Sequence, residues 1–384
     1  MWSDRIGDHR SLVSISGDGR YVIAGSDTGV LRFYARNGTM LWTYRIEGKS
    51  VRSLALSRTG DFAGAVFVNE DAPSSFAQGE VFFYNQDGEV LWNFVDDPTV
   101  EWISMSDNGN SFYISGTPSL YSFNRNGTVI GKNNVPGRIW TLDSARDGSF
   151  AVAGSKISGH RLDMIKKDGM LSWNFSTKLG FGSTAISPDG GNIAAAGYSH
   201  LYSLDRNGTE LWHFTGSSEF TSVAVSRDGN YTVACSQYYV QTFNQTGTLL
   251  WQYIYQGIVN DVAISDDGEL IVAGTSGGIY VFDQKGKVIW VYATPTAVLH
   301  VSIENNGSYF AAGTTDSVYF FNKWGNATVI DEPNIPVKSS YPNGSSSGVK
   351  PSTPKPTPLS YMIVIGALFC ISVVASFSKK NQNK

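Results

Sequence analysis

A tryptophan-centred strand returns at a fixed interval along this 384-residue chain. Leu41-Trp42-Thr43-Tyr44 closely follows Gly38 and recurs as LWNF (Trp92), SWNF (Trp173), LWHF (Trp212), LWQY (Trp251) and IWVY (Trp290). From Trp173 through Trp212 and Trp251 to Trp290 the spacing is 39 residues each time. A period of that size means stacked supersecondary units, none of which can bury its apolar faces alone. Each unit has the same grammar. A short apolar strand ends in Ser, with Gly three positions on. An aromatic-plus-small strand ending in Ala-Gly follows, then an alternating aromatic strand, an Asn-Gly or Asp-Gly turn, and the Trp strand. The first unit reads VSIS (13–16), Gly19, YVIAGS (21–26), VLRFYA (30–35), Asn37-Gly38 and LWTY.

Aligned on these marks, the first-turn glycines are Gly19, Gly60, Gly109, Gly148, Gly190, Gly229, Gly268 and Gly307. Those of the second turn are Gly38, Gly88, Gly127, Gly169, Gly208, Gly247, Gly286 and Gly325. Two-residue hairpin turns require φ > 0, which Gly adopts freely and Asn or Asp next most easily. Short alternating strands between such turns form four-stranded antiparallel meanders, and abundant aromatics with 41 Gly suit them. The expected fold is all-β: an eight-bladed β-propeller over residues 1–330, with radial stacking burying both faces of every sheet. The indoles Trp42, Trp92, Trp173, Trp212, Trp251 and Trp290 are expected to wedge between neighbouring blades. Small second-strand residues such as Ala194, Ala195, Ala196, Ala311 and Ala312 let blades approach near the axis. Trp2 lies 14 residues before Ser16, the spacing from Trp92, Trp173, Trp212 and Trp251 to their following Ser (Trp42 lies 15 before Ser57), whereas the eighth unit ends in ATVI (327–330) without Trp. The N-terminal strand is therefore expected to complete the last blade as a clasp. The alternatives are that ATVI fills that place, or that unpaired ends leave seven blades.

Beyond residue 330 the composition changes. Residues 331–358 are Pro/Ser/Thr/Lys-rich without apolar periodicity, a semi-extended linker. Residues 359–378 form an uncharged apolar segment ending at Phe377-Ser378, long enough for a transmembrane helix. Lys379, Lys380 and Lys384 close the chain as a basic tail (379–384), which the positive-inside tendency assigns to the cytoplasm. A single-pass cell-membrane protein with its propeller outside is the expectation. Asn-X-Ser/Thr sites at Asn37, Asn126, Asn174, Asn207, Asn230, Asn244, Asn306, Asn326 and Asn343 agree with it, although Asn-Gly-Thr turns generate such sites geometrically. MWSDRIGDHR has no apolar stretch, so a signal peptide is expected upstream of Met1. An inward-facing tail-anchored protein is the competing topology.

Three units depart from the pattern. The second carries the insertion VNEDAPSSFAQG (68–79), the third has Gly131 where Trp belongs, and the fourth is lengthened at SKISGHRLD (155–163). Irregular loops in a periodic array are where binding tends to be placed. The face carrying the start of each first strand holds Arg52, Glu101, Trp102, Arg138, Trp140, Asn260, Asp261 and His300, with Glu70 and Asp71 on the insertion. Aromatics beside mixed charges suit recognition. Alternatively, Trp102 and Trp140 plug the central channel near the third blade. A net charge of −4 without a basic stripe excludes a nucleic-acid partner.

SPDG (187–190), SRDG (226–229) and SDDG (265–268), each followed by a small-residue strand, resemble WD-repeat propellers, without their Gly-His and Trp-Asp dipeptides. RNGTELWHF (206–214) and KKDGMLSWNF (166–175) resemble the tryptophan-docking repeats of PQQ-type propellers, and the whole is similar to archaeal membrane-anchored surface propellers. The PQQ-type group includes eight-bladed quinoprotein dehydrogenases and a bacterial outer-membrane assembly lipoprotein. The dehydrogenases imply a vicinal disulfide over the quinone, a Ca²⁺ site and a catalytic Asp. Here the only cysteines are Cys235 and Cys370, the five histidines (His9, His160, His200, His213, His300) lack metal spacing, and Asp18, Asp147, Asp189, Asp228 and Asp267 are turn formers without calcium-loop ligands. The sequence therefore predicts no cofactor and no enzyme. It predicts a binding or scaffold module for a protein or glycan, with a PQQ-dependent dehydrogenase as the alternative.

Overall fold

A computed structural model describes residues 1–69, 79–95, 97, 99–156 and 159–322. The described strands form eight four-stranded antiparallel sheets. In seven of them four consecutive strands run in chain order from inner to outer edge, as in Ser11–Ile15, Tyr21–Ser26, Val30–Ala35 and Met40–Arg45 of blade one. The eighth combines Val298–Ile303, Tyr309–Thr314 and Ser317–Asn322 with Trp2–Arg5, Trp2 standing opposite Phe320. The clasp is therefore present. Inner strands touch in succession around the ring, the first blade meeting the eighth. The apolar interior lies between adjacent sheets: Phe33 and Tyr84 share one cluster of blades one and two, Val233 and Phe282 another of blades six and seven. The linker, the apolar segment, the basic tail, ATVI and the insertion residues Glu70 and Asp71 lie outside the described residues. Among the described residues no helix is long and apolar enough to cross a membrane.

The turns keep their glycines but differ in type from the two-residue hairpins expected. Every first-turn glycine, and every second-turn glycine up to Gly286, has φ between 62° and 89°. The Asn or Asp before it stays at negative φ, since among described non-glycine residues only His160 and Tyr198 are positive. Gly38 N–H donates to Ala35 and Ala35 N–H to Thr39, a type I turn closed by a left-handed glycine and followed by a bulge at Phe33/Tyr34. In five of the seven described second turns an Asx residue three positions before the glycine holds the turn, while in blades one and four, with Ala35 and Lys166 there, Asn37 and Asp168 accept the N–H two residues on. Asp205 Oδ1 accepts the N–H groups of Asn207 and Thr209, both at 2.8 Å. The first turn is held by its Ser: Ser226 Oγ accepts Tyr231 N–H at 3.0 Å and donates to Asp228 at 2.9 Å. In blade eight Glu304 replaces that Ser, and its carboxylate accepts the N–H groups of Ser308 and Tyr309.

Each indole reaches the following blade. Trp42 lies against Gly88, Trp92 against Gly127, Trp173 against Gly208, Trp212 against Gly247 and Trp251 against Gly286. A Cβ at any of these glycines would come within 2.4–2.7 Å of the ring. Trp2 does the same to Gly38. Nε1 of Trp2, Trp42, Trp92, Trp173 and Trp251 donates to the carbonyl two residues before that glycine, at 2.8–2.9 Å. Glycine is needed here twice, for the turn and for the ring. The indoles are half-buried, not enclosed; only Trp212 falls to 8% exposure. Blade three uses another device. A Cβ on Gly131 would lie 2.3 Å from the Gly169 nitrogen, so backbone seats on backbone, and Ser122 Oγ donates to Lys167 at 2.5 Å, the carbonyl an indole would take.

Around the axis, residues at the start of the first turns link blade to blade through the backbone in most of the ring. Arg58 N–H donates to Asp107, Asp107 to Arg146, Arg227 to Asp266 and Asp266 to Asn305, at 2.8–2.9 Å. Asn305 then donates to Gly17 at 3.2 Å, closing the eighth blade onto the first. Pro188 has no N–H, and Asp189 donates to Arg227 in its place at 3.3 Å.

Two expectations follow. Deleting residues 1–5 exposes Phe320 and the third-strand edge of blade eight; thermal denaturation should show a clear fall in melting temperature, and Trp2→Ala a smaller one, roughly 3 kcal/mol, at the low end for large aromatics because the ring is half-exposed. Placing the repeat's own Trp at position 131 should destabilise the protein, as should Gly131→Ala, by about 1–3 kcal/mol in chemical denaturation. A gain in stability from Gly131→Trp would refute the backbone-seated junction.

Candidate binding face

The inner strands start on one face of the ring, and this face gathers most of the charged and aromatic candidates. Arg52 places its guanidinium 5.4 Å from the Trp102 ring centroid. Glu101, only 8% exposed, accepts a hydrogen bond from Arg138 at 2.6 Å, and Arg138 in turn lies 5.1 Å from the Trp140 ring. The arc continues through residues that the sequence did not single out. Lys156 Nζ stands 5.8 Å from Trp140 and 5.0 Å from Tyr198, and pairs with Glu219. Lys156 comes from the lengthened loop of blade four, Tyr198 from a positive-φ turn in blade five and Glu219 from the approach to blade six. Only the ring brings them together. The Nε1 atoms of Trp102 and Trp140 are sealed without an acceptor among the described residues, and Trp102 packs on Leu120, Val135 and Ile139 between blades three and four.

Asn260, Asp261 and His300 lie on the opposite arc and engage their neighbours. Asn260 Nδ2 donates to the Val298 carbonyl at 2.7 Å. Asp261 accepts Val262 N–H and Val301 N–H, both at 2.9 Å. The second of these bonds is one case of a general device. An inner strand is a sheet edge with N–H groups turned toward the hub, and a side chain of the preceding blade accepts them. Ser53 accepts from Ile103, Asp143 from Ile186, Ser183 from Val223 and Ser302 from Ile15, at 2.8–3.2 Å. Asp143 and Asp261 face a hub that admits water but is crowded by protein, and this burial pushes both carboxyl groups up to about 6. Burial, with the charges of Arg10 and Arg52, pushes His300 down to about 3. At neutral pH His300 is uncharged, and its 3.8 Å separation from Asp261 is no ion pair.

The opposite mouth, ringed by first turns, is crossed by charge. Arg146 spans from blade four to Asp266 of blade seven with two bonds of 2.7 and 3.0 Å, and Arg227 joins the same carboxylate at 2.5 Å. A depression of about 610 Å³ beside them is lined by Arg58, Arg227, Asp266 and Asn305. The turn carboxylates Asp18, Asp189, Asp228 and Asp267 accept the backbone N–H groups of their own turns. A quinone held beneath a vicinal disulfide does not fit this chain. Cys235 is enclosed in the second strand of blade six, its neighbours are Ala234 and Ser236, and burial pushes its thiol up to about 12.

Comparison with known proteins agrees with this architecture. A family model described as outer membrane protein assembly factor BamB matches residues 158–341, just under half of the chain. Sqt1 from Chaetomium thermophilum superposes with a TM-score of 0.69 at 15% identity, covering 84% of this chain and 98% of that one. BamB from Moraxella catarrhalis gives 0.66 at 15% identity, covering 84% and 98%. At this identity the likeness is one of fold. No curated protein matches the chain.

The hub carboxylates generate a pH signature. A carboxyl group raised in the folded state binds its proton more tightly there, so its contribution favours folding below about pH 4 and is lost as pH rises through 6. Asp261→Asn lacks this term. Its stability deficit relative to the unmodified protein should shrink by about 3 kcal/mol between pH 4 and pH 7, as measured by urea denaturation at each pH. A constant deficit would show that Asp261 is not raised.

Proposed function

We propose that this chain is a non-catalytic binding propeller, held at the outer surface of a cell membrane by its C-terminal apolar segment, that offers its inner-strand face to a protein or glycan partner. The observation that carries this reading is the arc on that face, where Arg52, Glu101, Arg138, Lys156, Trp102 and Trp140 converge from three successive blades. Indoles and guanidinium groups concentrated at one mouth have the composition of energetic centres in interfaces. The cations already cover the aromatic faces that a sugar ring would stack on, which favours a protein partner. The match to a family described as an assembly factor supports the same choice. The hub carboxylates Asp143 and Asp261 are engaged by backbone N–H groups of the following blades, which suits a structural use of the axis. Anchoring rests on the composition of residues 359–378 and the lysines after it.

A photo-crosslinking residue at position 198 of the full-length protein, in membranes of its source cells, should give a discrete adduct. The same residue at exposed position 269, on the opposite face, should not. Trp140→Ala should abolish the adduct while leaving the melting temperature within a few degrees. Equal adducts from both faces, or none from position 198, would sink the assignment.

A further inference from the structure

The Asn-X-Ser/Thr sites are not scattered over the propeller. Asn37, Asn126 and Asn207 stand in second turns, Asn244 opens one, Asn230 and Asn306 stand in first turns, and Asn174 lies on the outer strand Leu171–Ser176. Among the described residues none falls on the face that carries the charged arc. We propose that the turn end and outer wall of this propeller carry N-linked glycans at Asn37, Asn126, Asn174, Asn207 and Asn306, and that the first four mask its unpaired outer strands.

Turn chemistry accounts for Asn-Gly and leaves the residue after the glycine open. Where Asp87, Asp168 or Lys285 precedes the second-turn glycine, Glu89, Met170 or Lys287 comes after it, and where Thr246 precedes it, Thr248 does. Where Asn precedes it, at 37, 126 and 207, Thr comes after each time. The five asparagines are exposed. In two of them the amide is already posed: Asn37 Oδ1 accepts Thr39 N–H at 3.1 Å and Asn306 Oδ1 accepts Ser308 N–H at 3.0 Å, which holds the hydroxyl residue beside the amide. Two sites differ. Asn230 Nδ2 donates to Asp228, and half-buried Asn244 accepts the N–H groups of Thr246 and Thr248. A glycan on Asn230 Nδ2 would displace that bond, whereas Asn244 makes the same Oδ1 contact as Asn37 and is set apart by its burial alone.

The outer strands supply the reason. Each is an open sheet edge, a template for pairing with another chain. Several begin with exposed apolar residues: Met40 and Leu41, Val129 and Ile130, and Leu211 follow Asn37, Asn126 and Asn207 within a few positions. Blade four, with Met170 and Leu171 exposed, carries Asn174 on the strand itself. Blades two and seven have no such site and place Glu89 and Lys287 there instead. Blade six, with Leu250 exposed and Thr248 after its glycine, has neither, so charge or sugar guards the edge in blades one to five and seven. The donor class is an oligosaccharide on a polyprenyl phosphate or diphosphate. Asn Nδ2 forms a C–N bond to the anomeric carbon as the sugar–phosphate C–O bond breaks, the amide loses a proton and the lipid phosphate leaves with the electron pair.

This rests on the outward placement proposed above, and the test separates the two. Full-length protein extracted from membranes of its source cells is digested and its glycopeptides are mapped by mass spectrometry, while intact cells are shaved with protease. Expected are sugar-bearing peptides at the five exposed asparagines, bare Asn230 and Asn244, and loss of the propeller on shaving. Combined Asn37→Gln, Asn126→Gln and Asn207→Gln should keep the melting temperature but raise the light-scattering mass roughly twofold or more through edge association. Bare asparagines on a propeller that shaving removes would overturn the glycan proposal alone. Bare asparagines on a protected propeller would overturn the outward placement and this proposal together. Glycosylated protein whose Gln variant stays monomeric would overturn the masking role.

Discussion

The ring depends on one contact made again and again between blades. An indole from an outer strand rests on a glycine turn of the next blade and gives its N–H to the carbonyl two residues earlier. The contact joins apolar area to a directional bond, so it sets the distance and the rotation between sheets together. A four-stranded sheet has two faces to bury and two edges to satisfy. The indole handles the outer part of the face, and the hydrogen-bonded belt from Arg58 through Asp266 to Gly17 handles the inner part. Two junctions show that either half can be given up. With Gly131 in place of Trp the ring is gone, yet Ser122 still donates to the same carbonyl and the blades close up to backbone contact. Trp212 keeps its ring on Gly247 while its Nε1 finds no acceptor among the described residues.

The hub follows from the same need to satisfy edges. Inner strands turn N–H groups toward the axis, and Ser53, Asp143, Ser183, Asp261 and Ser302 of the preceding blades accept them. Here the carboxylates are used as staples, and burial raises them rather than a substrate. The axis is thereby committed to closing the ring.

The repeat grammar and the N-terminal clasp were legible because glycine turns, indoles and strand alternation are local signals with a fixed period. The turn type was misjudged for a local reason too: attention to Asn-Gly hid the Asx residue three places earlier, whose carboxylate or amide closes the turn. What the sequence could not supply is adjacency across the ring. Arg146 and Asp266 are 120 positions apart, and Lys156 meets Glu219 only because blades four to six stand side by side. Polar residues inside otherwise apolar inner strands, Asp143 and Asp261 above all, were a readable sign of the hub staples. In the sequence they resemble candidates for binding, since a buried acid looks the same in both roles until its partners are seen.

The two ends of the ring end up chemically unlike. At the turn end, the Arg146–Asp266 bridge crosses the channel, the Asp and Ser side chains are absorbed by their own turns, and the exposed apolar outer strands begin. At the other end, Arg52, Arg138 and Lys156 lie on indole and phenol rings, fixed in orientation yet still partly open to solvent. A cation held on a ring loses little further freedom when a partner's carbonyl or carboxylate arrives, which is the circumstance in which a polar contact contributes most to affinity. The difference arises from the topology itself. Tight turns consume their polar groups internally, whereas at the other end side chains from inner strands and from the loops beside them converge from several blades.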